Sequence, residues 1–98
     1  MKTTSEYLQL LKQFKESKAL AYGIQKIGLF GSVARGEHTE DSDVDVCFEG
    51  KAIGLFSMAQ LKGELEQLLG TTVDLLRMRK QLDGSALKES VMRDIVYV

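Results

Sequence analysis

Two aspartates, Asp43 and Asp45, stand two residues apart in the run Ser42-Asp43-Val44-Asp45. Alternate residues of an extended strand share a face and lie roughly 6.5 Å apart along it. Both carboxylates can therefore lean toward one point and hold one or two cations between them. Without a cation they repel, and one tends to take up a proton. Ligation by oxygen alone favours Mg²⁺ or Mn²⁺ over zinc. Asp74, in a later strand-like run, is the natural third carboxylate if the two strands are neighbours. Upstream, Gly31-Ser32 follows an apolar run at once. Such a step leaves backbone N–H groups open and lets a phosphate approach closely. The Ser32 hydroxyl can donate to a phosphate oxygen, and Arg35 offers either a phosphate contact or an internal ion pair. A phosphate cradle beside paired carboxylates supplies the parts for metal-assisted phosphoryl-type transfer.

Three other motifs fail on named residues. A P-loop needs Lys and Ser or Thr after its last glycine, but Glu37 and His38 follow Gly36. A dinucleotide fingerprint is absent around Gly28, Gly31 and Gly36. Read as an EF-hand, the run from Asp41 places Val46 where glycine is required and Ala52 where the bidentate Glu belongs.

These side chains need elements to hold them. Thr3-x-x-Glu6 has capping-box spacing, so a helix is expected from about Thr4, with Tyr7, Leu11 and Phe14 on its apolar stripe and Gly23 as its stop. Ile24 to Phe30 reads as a buried strand. A brief helical turn capped by Ser32 and ended by Gly36 follows. From Asp43 to Glu49 the chain alternates, Val44, Val46 and Phe48 against Asp43, Asp45, Cys47 and Glu49. A second long helix runs from about Ser57 to Leu69 on Met58, Leu61, Leu65 and Leu68, ending at Gly70. Thr71 to Leu76 is a third strand, with Val73 and Leu75 opposite Asp74. A basic loop, Arg77-Met78-Arg79-Lys80, leads to a last helix from about Gly84 on Leu87, Val91 and Ile95; Val96-Tyr97-Val98 is too short to assign. The methionines and aromatics are expected on core stripes. The order predicts an α/β (α+β) domain, a small mixed sheet with helices packed on it.

Ninety-eight residues suit a single domain, 1–98. No apolar run approaches the roughly 20 residues of a membrane span, and the polar Met1–Glu6 start is unlike a signal peptide. The lone Cys47 excludes an internal disulfide and suits a reducing, cytoplasmic setting. A net charge of −1 gives no general pull toward nucleic acid, so no direct nucleic-acid binding is expected. The charge is unevenly spread: residues 35–50 carry six acids against Arg35 alone. His38 has no second His or Cys nearby and reads as a surface residue.

Gly31-Ser32-x-Ala34-Arg35-Gly36, five residues, then Ser42-Asp43-x-Asp45 resembles the signature of the polymerase-β-like nucleotidyltransferases. The likeness is greatest to their minimal members, the MNT domains paired with HEPN proteins in toxin–antitoxin systems. With each residue type near 5%, a chance match at these fixed positions is on the order of 1 in 10¹⁰ per start site. The resemblance implies the nucleotidyltransferase fold and transfer of a nucleotide, AMP from ATP, to an acceptor hydroxyl. It implies that Gly31 and Ser32, with Arg35 and Ser42 beside them, bind the nucleotide. It implies that Asp43, Asp45 and Asp74 are catalytic and ligate two Mg²⁺ ions, and that the acceptor sits on a HEPN-type toxin. By residue type alone, Ser42 is a loop-shaping hydroxyl. Two rival readings are a binding module that neutralises its partner by occlusion, and an enzyme acting on a small-molecule acceptor.

Overall fold

The alternation around Asp45 builds the central strand of a four-stranded sheet. In the computed structural model, which describes residues 1–98 with the side chain of Lys80 excepted, Thr4–Lys18 forms α1 and Ile24–Phe30 forms β1. Gly31–Arg35 is a short α2, Val44–Gly50 is β2 and Leu55–Leu69 is α3. Val73–Arg77 is β3, and a 3-10 turn at Lys80–Leu82 leads to α4 (Ala86–Asp94) and β4 (Val96–Tyr97). The sheet order is β3-β2-β1-β4, with β1 antiparallel to β2 and β4, and β3 parallel to β2. The expected small mixed sheet with helices on it is thus present.

Because strand side chains alternate, the two faces of β2 serve different purposes. Val44, Val46 and Phe48 enter the larger core with Ile27, Leu29 and Val73, under α1 (Leu11, Phe14) and α3 (Leu61, Leu65, Leu69). Cys47 faces a smaller core with Met78 and Val91, where α4 packs. Asp45 shares that second face outside the apolar cluster and is half-buried there.

The caps explain most boundaries. Thr3 Oγ1 accepts from the Glu6 N–H at 3.1 Å, while Glu6 Oε1 accepts from the Thr3 N–H at 3.0 Å. Gly36 and Gly70 stop α2 and α3 in the left-handed conformation. Ser85 caps α4, one residue past the expected Gly84 start.

Several expectations are corrected. Helix α1 stops at Lys18, not Gly23, because the Ala19 carbonyl accepts from Tyr22 and Ile24 and turns the chain early. Ser32 does not cap α2; Phe30 holds that position without a side-chain hydrogen bond. Helix α3 starts at Leu55 from an extended Gly54, so Ser57 lies inside its first turn. Leu55 (84% exposed), Phe56 (91%) and Met92 (49%) face outward, so not every aromatic and methionine is on a core stripe. Leu87 is likewise exposed. The unassigned Val96-Tyr97 is a real strand because Gly28 makes room for it: a Cβ at Gly28 would strike the Val96 backbone.

Candidate active site

The ladder between β1 and β2 sets Phe30 opposite Asp45, so the chain turns at Gly31 directly over the Asp45 carboxylate. Gly31 has φ +70°, and a Cβ there would collide with Asp45 Oδ2. Both facts demand glycine. On the other side of β2, parallel pairing puts Asp45 in register with Asp74. Residues paired in this way send their side chains off the same face, so the two carboxylates stand side by side. Asp43 precedes β2 by one residue and is exposed, as is Asp74, while Asp45 is half-buried.

The electrostatics follow from that crowding. Burial first, then the charges of Asp74 and Asp43 and a shared hydrogen bond with Asp74, push the Asp45 carboxyl up to about 6; Arg35 pulls weakly the other way. A half-buried carboxyl held among like charges is an environment that a divalent cation would relieve, and the donors are all hard oxygens. The donor set and the glycine cradle fit Mg²⁺. Among the described residues, however, no group of three His, Cys, Asp or Glu stands close enough together to hold a metal ion, so the third carboxylate does not converge with the other two here.

The remaining residues of the signature divide by what they touch. Ser32 lies half-buried in the first turn of α2, whose start has no side-chain cap, so its leading N–H groups keep their donor capacity. Arg35 is engaged by two carboxylates, Glu37 at 3.2 Å and Asp94 of α4 at 2.6 Å. The Ser42 hydroxyl accepts from the Thr39 N–H at 2.9 Å and shapes the turn before Asp43. His38 is not a plain surface residue: it is half-buried, packs edge-on against Tyr7 and lies 2.7 Å from the Lys2 carbonyl through Nε2. Burial pushes the Cys47 thiol up to about 12, which leaves it unreactive.

In the basic run, Arg77 is half-buried against the Gly50 carbonyl and Arg79 is exposed. Lys80, the last of that run, has its side chain outside the described residues. Asp94 went unread because it stands 59 residues from Arg35 and no local spacing links them. Leu55 and Phe56 stand exposed on the first turn of α3, ahead of the Ser57 start that the sequence pattern gives, and no local spacing marks them as a surface pair.

Known proteins resemble this chain in sequence and in fold. The sequence profile described as "Nucleotidyltransferase domain" matches residues 8–98. The chain is 39% identical over 99 residues to the protein adenylyltransferase MntA of Thermococcus cleftensis, spanning 100% of this chain and 98% of that one. A solved structure described as a candidate minimal nucleotidyltransferase superposes with a TM-score of 0.74 at 33% identity, covering 97% of this chain and 95% of that one. The fold is also that of a chain in the solved complex of tri-AMPylated Shewanella oneidensis HEPN toxin with MNT antitoxin: TM-score 0.66, 20% identity, 97% of this chain and 71% of that one.

Proposed function

This chain belongs to the nucleotidyltransferase domain family, and from that membership we propose that it transfers AMP from ATP to a hydroxyl group on a HEPN-type toxin, silencing it as an antitoxin. The observation that carries the reading is the stacking of Gly31, Asp45 and Asp74 at one end of the sheet. The acceptor is inferred from the likeness to an enzyme named as a protein adenylyltransferase and to a complex with an AMPylated HEPN toxin.

In the proposed mechanism the Gly31 and Ser32 N–H groups and the Ser32 hydroxyl donate to the triphosphate. Asp43, Asp45 and Asp74 would hold Mg²⁺, whose charge would offset that of the phosphates and of the developing transition state. Asp74, exposed at the rim, accepts the proton of the acceptor hydroxyl. The hydroxyl oxygen forms a bond to the α-phosphorus as the bond to pyrophosphate breaks, and pyrophosphate departs with its electron pair. Arg35 is assigned to positioning: its pairs with Glu37 and Asp94 hold α2 against α4. Ser42 sets the turn that presents Asp43.

The test is an intact-mass spectrum of a HEPN-type protein after incubation with the chain, ATP and Mg²⁺. One or more AMP increments are expected with the wild type and none with Asp43→Asn or Asp45→Asn. Increments that survive both changes refute the mechanism. If Asp43→Asn still neutralises the toxin without modifying it, occlusion is the function instead.

A further inference from the structure

The outer edge of β3 is a free sheet edge with one end at the candidate active site. Two ladder contacts fix which residues face outward. Val44 N–H donates to the Thr72 carbonyl and Met78 N–H donates to the Phe48 carbonyl. In a parallel ladder both backbone groups of a residue point the same way, and the direction alternates. Residues 72, 74, 76 and 78 therefore turn toward β2, and Val73, Leu75 and Arg77 turn away from it. The Val73 N–H is taken by Glu66 Oε2 at 3.0 Å. Among the described residues, the backbone groups of Leu75 and Arg77 find no such partner.

A groove accompanies that edge. One hollow of about 310 Å³ runs beside Asp74 and is lined by Leu55, Met58, Lys62 and Leu75. It continues into a second of about 510 Å³ that shares Leu55, Met58 and Leu75 and reaches Arg77 and Arg79. The floor is apolar, Phe56 stands exposed close by in sequence, and the rim cations are Lys62, Arg77 and Arg79. An exposed edge with free N–H and C=O groups is a template for pairing with another chain. An edge with unpaired N–H and C=O groups, alternate-side-chain pockets and two arginines at the end away from Asp74 matches strand addition by an extended peptide.

We propose that the acceptor polypeptide docks as an extended segment along β3, an inference that rests on the transfer reading above. The segment pairs with the Leu75 and Arg77 backbone, seats an apolar side chain on Leu55 and Met58, and sets its hydroxyl residue beside Asp74. It carries acidic residues opposite Arg77 and Arg79.

Single-amide hydrogen exchange by NMR tests this. The isolated chain is compared with its complex with the HEPN-type partner, formed with Asp43→Asn so that the complex does not turn over. Leu75 and Arg77 amides are expected to exchange at least tenfold more slowly in the complex. Asp74 and Leu76 amides, already paired inward, should be protected in both. A complex that forms without slowing Leu75 and Arg77 overturns the proposal, as does the same slowing in the isolated chain on raising its concentration, which would make the edge an interface between copies.

Phe56→Asp and Arg79→Glu, both on exposed side chains, give a second readout in the wild-type background. AMP transfer to the partner should fall at least tenfold in each, while binding of MgATP, read by calorimetry, persists. Unchanged transfer rejects the docking mode and leaves the enzyme intact. Absence of AMP transfer by the wild type itself rejects the transfer reading, and the docking mode with it.

Discussion

At the residue scale, Asp45 carries the heaviest burden. Its carboxyl titrates near 6 in the folded chain against an ordinary 3.8, raised by burial and by Asp74 and Asp43. The folded state thus binds this proton more tightly than the unfolded state does. The stabilisation from that proton is complete below about pH 4 and is lost as the pH rises through about 6. Two pKa units correspond to roughly 3 kcal/mol; partial exposure reduces this to about 1–2 kcal/mol. Asp45→Asn should therefore make the metal-free protein more stable at pH 8 by that amount while ending AMP transfer. Urea unfolding at pH 5 and pH 8 checks it, and a variant less stable than wild type at pH 8 would contradict the crowding. Gly31→Ala makes the opposite case. It imposes a left-handed φ costing about 1–2 kcal/mol and drives a methyl group into the Asp45 carboxylate. Transfer should drop at least a hundredfold with the sheet still formed, as read by activity beside circular dichroism.

At the scale of elements, β2 links the core to the chemistry. Phe48, fully buried between the sheet and the helices, should cost about 3–5 kcal/mol when cut to alanine, read by thermal or urea unfolding. Ser85→Ala removes the hydroxyl that accepts from the Lys88 N–H and should cost about 1 kcal/mol without altering nucleotide binding. The strands β1 and β2, the capping box of α1 and the glycine stops of α2 and α3 were legible in the sequence, since each rests on neighbours a few residues apart. The pairing of Asp45 with Asp74 was only conditional there, because strand adjacency is a property of the sheet. What stayed hidden depends on long-range contact. Val96-Tyr97 is a strand only through Gly28, and His38 is held only through Tyr7 and Lys2.

At the scale of the whole molecule, the sheet separates the tasks. One face carries most of the apolar core; the other carries a small core under α4 and, at one end, the carboxylates. Arg35 ties that end together through Asp94, 59 residues away in sequence. Arg35→Ala should weaken transfer about tenfold by loosening α2 against α4, with its main effect on ATP affinity. Arg35→Lys, which keeps one donor toward Asp94, should recover part of the loss; a titration of MgATP into each variant reads it. No helix of the described residues is long and apolar enough to cross a membrane.

Placing the label on ATP tests the central claim most directly. ATP labelled on its α-phosphorus and ATP labelled on its γ-phosphorus are each incubated with the chain, Mg²⁺ and the HEPN-type polypeptide, and the polypeptide is counted. Label from the α-position alone is expected, and it should disappear with Asp45→Asn. Label from the γ-position, or α-label that persists without Asp45, would contradict nucleotidyl transfer at these carboxylates.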